Sequence, residues 1–128
     1  MRSIAIRWNT FLALTLLSAA ASATELTIHL NGTDAVQRKT VKYQCDAQGA
    51  TMGLPAGVFS VDYLNGAGNS LAVVPVKGNS MIFVTVPSGS GAKYAARQWT
   101  WWEAGGRGTT FYSDFPGPKA SSVCHEIH

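Results

Sequence analysis

Apolar and polar residues alternate along most of the chain after residue 23. In the segment GVFSVDYL, Phe59, Val61 and Tyr63 alternate with the polar residues Ser60 and Asp62. Because successive side chains of a β-strand point to opposite faces, this period of two predicts a strand with one buried face. No segment beyond residue 23 shows a convincing helical period.

Eight alternating segments are predicted as strands, and Gly, Asn and Pro punctuate the chain between them. They are TELTIHL, VQRKTVKYQC, GVFSVDYL, NSLAVVPV, SMIFVTV, RQWTWW, TTFYSDF and SSVCHEI. Short β-branched and aromatic runs at near-regular spacing are typical of sandwiches and barrels. Eight strands in about 105 residues suit a small closed antiparallel barrel, in which no sheet edge is exposed. We therefore predict an all-β barrel of about eight strands as one domain, residues 24–128. Pro75 predicts an edge position or a bulge.

The first 23 residues have the organisation of a secretory signal peptide. Arg2 and Arg7 form a basic head, an apolar run extends from Phe11 to Leu17, and Ala21-Ser22-Ala23 is a small-x-small cleavage site. An N-terminal membrane helix is the alternative, but the uncharged apolar stretch is too short to span a bilayer comfortably. No cysteine lies beside the cleavage site to accept a lipid anchor. We expect cleavage after Ala23, a periplasmic protein and no stable membrane insertion.

The charge balance argues against a nucleic-acid partner. The chain has 10 Lys and Arg against 7 Asp and Glu, and loss of Arg2 and Arg7 with the signal peptide leaves 8 against 7. A nearly neutral domain lacks the excess of cations that dominates affinity for a phosphate backbone. The one basic group, Arg38, Lys39 and Lys42, is explained by a solvated strand face.

Two cysteines, Cys45 and Cys124, remain in the mature chain. An even count in an exported protein favours a disulfide over two free buried thiols. The bridge would close a loop of about 80 residues, so its entropic contribution would be at most roughly 4–5 kcal/mol.

Motifs for catalysis, metal binding or cofactor binding are weak. His29 lies in a predicted strand, and His125 and His128 lie at the tail without partners at metal-ligand spacing. Ser88 and Ser90 both lack the Gly-x-Ser-x-Gly surroundings of a nucleophile elbow. The acidic residues show no paired-carboxylate pattern of a glycoside hydrolase. We expect a protein without enzyme activity, cofactor or metal.

A Ser-Gly-Ser-Gly run, residues 88–91, stands just ahead of three tryptophans within four positions. Such a run is usually a slack linker. Trp99 and Trp101 are predicted to share one face of a strand, with Trp102 on the opposite face. One face would pack in the barrel core, and a ligand stack inside the barrel is the alternative. A soft loop braced by aromatic strands indicates a loop presented to a partner.

The segments FSVDYLN, NSLAVVPVKGNSMIFVTV, SGSGAKY and WTWWEAGG together resemble the MliC/PliC family, bacterial inhibitors of c-type lysozyme. The resemblance extends in order from about Cys45 to Tyr112, and SGSGAKY followed by a WW-x-x-G strand is specific in combination. It implies an eight-stranded antiparallel barrel and c-type lysozyme as the partner. The missing lipid-anchor cysteine makes the chain similar to the periplasmic branch of the family.

The resemblance also implies which residues bind lysozyme. In the family, the Ser-Gly loop enters the active-site cleft and a serine hydroxyl hydrogen-bonds the catalytic carboxylates, which protects bacterial peptidoglycan. The matching serine is Ser90. The family lysine in the W-x-K-G pattern is replaced by Ala104, so we expect Arg107 or Lys93 to supply the cation. The predicted lysozyme-binding residues are Ser88, Gly89, Ser90, Gly91, Lys93, Tyr94 and Arg107.

Two other functions stay open at this point. One is a periplasmic barrel that binds a small ligand, which an open interior would favour and a solid core would exclude. The other is a structural envelope protein whose Ser-Gly loop is buried in self-association.

Overall fold

A closed barrel of eight antiparallel strands is formed by the residues that the computed structural model describes, 23–113, 115 and 119–128. Each strand pairs with the next, and β8 closes the barrel against β1. This arrangement confirms the predicted fold class. The elements are β1 (Gln37–Cys45), α1 (Ala47–Thr51), β2 (Phe59–Gly66), β3 (Asn69–Val76), β4 (Asn79–Val86), β5 (Ala92–Ala96), β6 (Trp99–Glu103), β7 (Thr109–Ser113) and β8 (Ser121–Glu126).

The predicted signal peptide, apart from its last residue, lies outside the described residues. Within the described part of the chain, no helix is both long and apolar enough to cross a bilayer.

One predicted strand is wrong and one real strand is missing from the predicted set. The segment TELTIHL forms no strand, and Leu26, Ile28 and Leu30 are exposed. His29, which lies in this predicted strand, is exposed as well. The strand missing from the predicted set is β5, whose first three residues the family motif SGSGAKY grouped with the Ser-Gly loop. Three of its five residues are alanines, so its alternation is weak, and a closed barrel leaves no free edge for a ninth strand.

A one-turn helix, α1, follows β1 and is too short for a periodic pattern to predict. Its N-cap is Asp46, whose carboxylate accepts hydrogen bonds from Gly49 N (3.3 Å), Ser122 Oγ (2.7 Å) and Val123 N (3.0 Å). These hydrogen bonds, the one from Ser122 above all, hold the pKa of Asp46 below its usual value. The cap therefore joins the end of β1 to β8.

The predicted disulfide is present beside this cap. Cys45 of β1 and Cys124 of β8 are direct partners in the ladder that closes the barrel, and their sulfur atoms are bonded. Cys124 is fully buried. The bridge thus fixes the first strand to the last one covalently.

Pro75 lies where its missing N–H is not needed. The pairing of β3 with β2 ends at Val73, whereas the pairing of β3 with β4 continues through Pro75 to Val76. This end of β3 has a free side, which agrees with the prediction of an edge position.

Aromatic rings fill the barrel interior. Trp101, Tyr43, Phe83 and Phe111 are fully buried, and the rings of Trp101 and Tyr43 meet edge to face at 5.1 Å. Trp99 stacks on Phe111 at 4.9 Å from the same side of β6. Aromatic side chains therefore occupy the barrel interior, which favours core packing over the ligand-binding alternative.

A chain of hydrogen bonds crosses this core. Trp101 Nε1 donates to the hydroxyl oxygen of Tyr63 (2.9 Å), the Tyr63 and Tyr43 hydroxyls are 2.8 Å apart, and the Tyr43 hydroxyl donates to Glu103 Oε1 (3.0 Å). Because each hydroxyl has one proton, the Tyr63 hydroxyl donates to Tyr43 and every bond points toward the Glu103 carboxylate. No buried side-chain nitrogen or oxygen in the described residues lacks a partner.

We expect removal of the disulfide by the paired change Cys45→Ala and Cys124→Ala to lower the free energy of unfolding by about 2–5 kcal/mol. The change frees a closed loop with a sequence separation of 79 residues in the unfolded chain. Urea unfolding of the oxidised wild type, the reduced wild type and the variant measures the effect. A variant as stable as the oxidised wild type would show that the β1–β8 ladder closes the barrel without help.

The core tyrosines Tyr43 and Tyr63 should make the free energy of unfolding decrease at alkaline pH. Burial is the main reason that the pKa values of Tyr43 and Tyr63 are raised above 10 in the folded protein. Below pH 10 both hydroxyls are protonated in both states, so their contribution is complete. Above pH 10 the unfolded chain loses these protons first, so the free energy of unfolding should fall as pH rises. Ultraviolet titration should show that Tyr43 and Tyr63 resist ionisation, and ionisation of these two tyrosines near pH 10 would contradict this account.

Candidate functional site

Two neighbouring loops form one end of the barrel. The Ser-Gly loop, residues 87–91, joins β4 to β5, and the Gly loop, residues 104–108, joins β6 to β7. Ala92 at the start of β5 pairs with Glu103 at the end of β6, and Glu103 also pairs with Thr109 at the start of β7. This register places the two loops side by side, and we call this region the loop end.

The Ser-Gly loop is held at the main chain of Ser90. The Ser90 carbonyl oxygen accepts hydrogen bonds from the Ser88 hydroxyl and from Trp102 Nε1, the latter at 3.0 Å. Ser90 itself is exposed, and its hydroxyl has no hydrogen-bond partner among the described residues. The loop is therefore fixed from within while one hydroxyl stays available.

Gly91 permits the two loops to touch. Its φ of 62° lies in the left-handed region, and a Cβ at this position would overlap the carbonyl oxygen of Glu103. Gly89 differs, because a Cβ there would meet open space and its φ is not in the left-handed region. Of the two glycines that the sequence singled out, Gly91 is the one that the geometry requires.

Two cationic side chains at the loop end, Lys93 and Arg107, differ in burial and in their contacts. Lys93 lies on β5, half-buried, with its Nζ 4.8 Å from the centroid of the Trp102 ring, which is a cation–π contact. Arg107 is exposed within the Gly loop. Among the described residues, the ion pair that the structure contains is Arg38 with Asp62, on β1 and β2. Ala104, in the place of the family lysine, is half-buried and uncharged.

Tyr94 is separated from the other predicted site residues. Its side chain points into the barrel with 5% exposure, and its hydroxyl lies 3.4 Å from Ser70 Oγ. A direct contact between Tyr94 and a partner is therefore not available in this conformation, because alternation along β5 sends Lys93 outward and Tyr94 inward. The structure brings the other six together at the loop end: Ser88, Gly89, Ser90, Gly91, Lys93 and Arg107.

The role of Trp102 at the loop end is missing from the predicted set. The sequence placed Trp102 on the face opposite Trp99 and Trp101 and left open which face is the core. The structure confirms the opposition and puts Trp101 on the core side. The available signal was a large aromatic ring on the face opposite the other two tryptophans, next to the Ser-Gly run in the sequence. The structure adds that the indole N–H fixes Ser90 while the ring face carries Lys93.

The chemistry of the loop end suits recognition of an anionic partner. A free hydroxyl, a guanidinium group and an ammonium group are donors without matching internal acceptors among the described residues. The described residues contain no cluster of three His, Cys, Asp or Glu side chains placed to hold a metal ion. Such a surface binds carboxylates through charge-assisted hydrogen bonds.

Comparison with known proteins finds relatives that all carry the name of one family of lysozyme inhibitors. Residues 43–114 match the family model described as membrane-bound lysozyme-inhibitor of c-type lysozyme. A membrane-bound lysozyme inhibitor of C-type lysozyme from Pseudomonas aeruginosa is 41% identical over 100 residues, which are 76% of this chain and 72% of that protein. A protein of the same name from Cupriavidus necator is 38% identical over 71 residues, 56% of this chain and 50% of that protein.

A solved structure extends the likeness to the fold. The crystal structure of Pseudomonas aeruginosa MliC in complex with hen egg white lysozyme matches with a TM-score of 0.62 and 38% sequence identity. The match covers 84% of this chain and all of that one. The family model spans more than half of the chain, and the sequence and structural matches agree with it. The chain therefore belongs to the MliC family of lysozyme inhibitors.

Proposed function

We propose that this protein inhibits c-type lysozyme by inserting the Ser-Gly loop into the active-site cleft, with Ser90 at the catalytic carboxylates. The observation that carries the proposal is the state of Ser90: its carbonyl is held by two donors while its hydroxyl is free. A family member from Pseudomonas aeruginosa that shares this fold was crystallised with hen egg white lysozyme, which supports the choice of partner.

The chemistry of the contact follows from the size and polarity of serine. A small side chain enters a groove built for sugars, and its hydroxyl donates to an ionised carboxylate. A hydrogen bond to a charged group contributes about 1.5–3 kcal/mol. Because Trp102 and Ser88 already fix the Ser90 main chain, little loop freedom is lost on binding, and less free energy is spent on ordering.

Arg107 is our choice for the cation that replaces the family lysine at Ala104. Arg107 is exposed and lies in the Gly loop, whose first residue, Ala104, is close to Gly91. Lys93 is the weaker choice, because reaching a partner would break its contact with the Trp102 ring, which is worth about 0.5–1 kcal/mol at an exposed site. In this proposal Lys93 stiffens Trp102, and Arg107 pairs with a carboxylate of the cleft.

The site of action in this proposal is the periplasm. Residues 1–23 have the features of a signal peptide that is cleaved after Ala23, and the mature domain would meet lysozyme outside the inner membrane. The protein would act by occupancy alone, without catalysis, and so protect peptidoglycan from hydrolysis.

The change Ser90→Ala should weaken inhibition about tenfold or more, since 1.4 kcal/mol corresponds to one decade. It removes the hydroxyl but keeps the carbonyl that Trp102 holds. Lysis of bacterial cell walls by hen egg white lysozyme, followed by turbidity over a range of inhibitor concentrations, measures the inhibition constant. Ser80→Ala is the matched control, because Ser80 is an exposed serine on β4 at the opposite end of the barrel.

A Ser90→Ala variant that inhibits as well as the Ser80→Ala control would show that this hydroxyl does not reach the catalytic carboxylates. A wild-type protein without effect on lysis would refute the proposed function altogether.

The two cations can be separated by single changes. Arg107→Ala should weaken inhibition, and the loss should shrink at high salt because an ion pair near the surface is screened. Lys93→Ala should cost less, and Lys39→Ala, at an exposed lysine of β1, is the control. Ala104→Lys should tighten inhibition by restoring the family cation. A larger loss for Lys93→Ala than for Arg107→Ala would assign the pairing cation to Lys93.

A further inference from the structure

Glu103 lies where the barrel core meets the Ser-Gly loop. We propose that Glu103 is a positioning residue for lysozyme binding: the hydrogen-bond chain of the core fixes its side chain, and its main chain fixes the Ser-Gly loop at Gly91. This inference rests on the proposed lysozyme inhibition and names a residue outside the predicted site that would control the same loop.

The side chain of Glu103 is fixed from the core. It is half-buried, and its carboxylate accepts the last bond of the chain that begins at the Trp101 indole and passes through Tyr63 and Tyr43. Trp101 and Tyr43 are fully buried and Tyr63 is nearly so. These groups belong to β1, β2 and β6, so three strands determine where the Glu103 side chain lies.

The main chain of Glu103 transmits this position to the loop. Glu103 pairs with Ala92 on one side and with Thr109 on the other, and its carbonyl oxygen lies directly against Gly91. Trp102, the preceding residue, holds the Ser90 carbonyl through its indole. The last residues of β6 therefore contact the core on one face and the Ser-Gly loop on the other.

The direction in which the Glu103 carboxylate points also affects the electrostatics of the loop end. The loop end would receive the carboxylates of a lysozyme cleft, and an acidic group freed toward that surface would repel them. The Tyr43 hydroxyl is a specific partner that keeps the carboxylate directed into the barrel. Loss of this bond would both loosen the end of β6 and release a negative charge near the binding loop.

The experiment compares Glu103→Ala with Glu103→Gln. The alanine variant removes the acceptor for Tyr43, whereas the glutamine variant keeps an acceptor oxygen of the same reach. We expect the inhibition constant toward hen egg white lysozyme to rise about fivefold or more for Glu103→Ala and to stay within about twofold of wild type for Glu103→Gln. Glu25→Ala, at an exposed position outside the barrel, is the charge-matched control.

A second measurement reports on the loop without lysozyme. Proton exchange of the Trp102 indole N–H, followed by NMR, reports on the hydrogen bond to Ser90. We expect faster exchange than wild type in Glu103→Ala and wild-type exchange in Glu103→Gln. Urea unfolding of each variant shows that the protein is folded under the assay conditions. If Glu103→Ala does not fold, Tyr43→Phe breaks the same bond from the donor side and should speed the Trp102 exchange equally.

The outcomes separate this inference from the proposed function. Lower stability of Glu103→Ala with wild-type inhibition and wild-type Trp102 exchange overturns the inference, because Glu103 then supports the barrel alone. Equal losses for the alanine and glutamine variants also overturn it, because glutamine keeps the acceptor. If the wild-type protein fails to inhibit lysozyme, the proposed function falls, and the Trp102 exchange still decides whether Glu103 positions the loop.

Discussion

The alternation of side chains along strand β6 connects the stability of this barrel to its loop end. Trp101 and Glu103 point into the core, and Trp102 points out toward the Ser-Gly loop. Neither face can shift without the other, because one backbone carries both sets of contacts and is paired on both sides. A change in the core at Tyr43 or Trp101 is thus also a change in the support of the loop.

In the proposed complex, the free energy of binding depends on this support of the loop. A loop of serines and glycines would normally lose much conformational freedom when it enters a cleft. Here Trp102, Ser88 and the close packing of Gly91 on Glu103 have already restricted it in the free protein. In the proposed complex, specific cations would matter more than total charge, because a nearly neutral domain can attract an anionic cleft through local groups alone.

The sequence predicted what alternation alone determines. The barrel, the disulfide and the opposite faces of Trp101 and Trp102 follow from a period of two and from two cysteines in an exported chain. The same rule predicted a strand at TELTIHL, and that prediction is wrong. Alternation is a local property of the sequence, whereas a strand also needs a free edge strand to pair with, which the closed barrel lacks.

The finer features of the site depend on register, which the sequence does not show. The alanines of β5 weaken its alternation, so the sequence pattern did not predict this strand. The motif SGSGAKY therefore grouped Tyr94 with the loop, although the Tyr94 ring lies in the core. The bond from Trp102 to Ser90 and the contact of Gly91 with Glu103 require β5 and β6 to pair in one specific register. The sequence pattern indicated that the Ser-Gly loop is presented to a partner, and the family resemblance supplied the expected partner and the role of Ser90.

The most direct test of the central claim is a crystal structure of the mature protein bound to hen egg white lysozyme. The account predicts that Ser90 Oγ lies about 2.5–3.0 Å from an oxygen of a catalytic carboxyl group. It also predicts that the backbone of residues 87–91 moves by about 1 Å or less from its position in the free protein. A complex in which lysozyme binds another face of the barrel, or in which residues 87–91 refold to enter the cleft, would contradict the claim that the barrel presents a preformed loop.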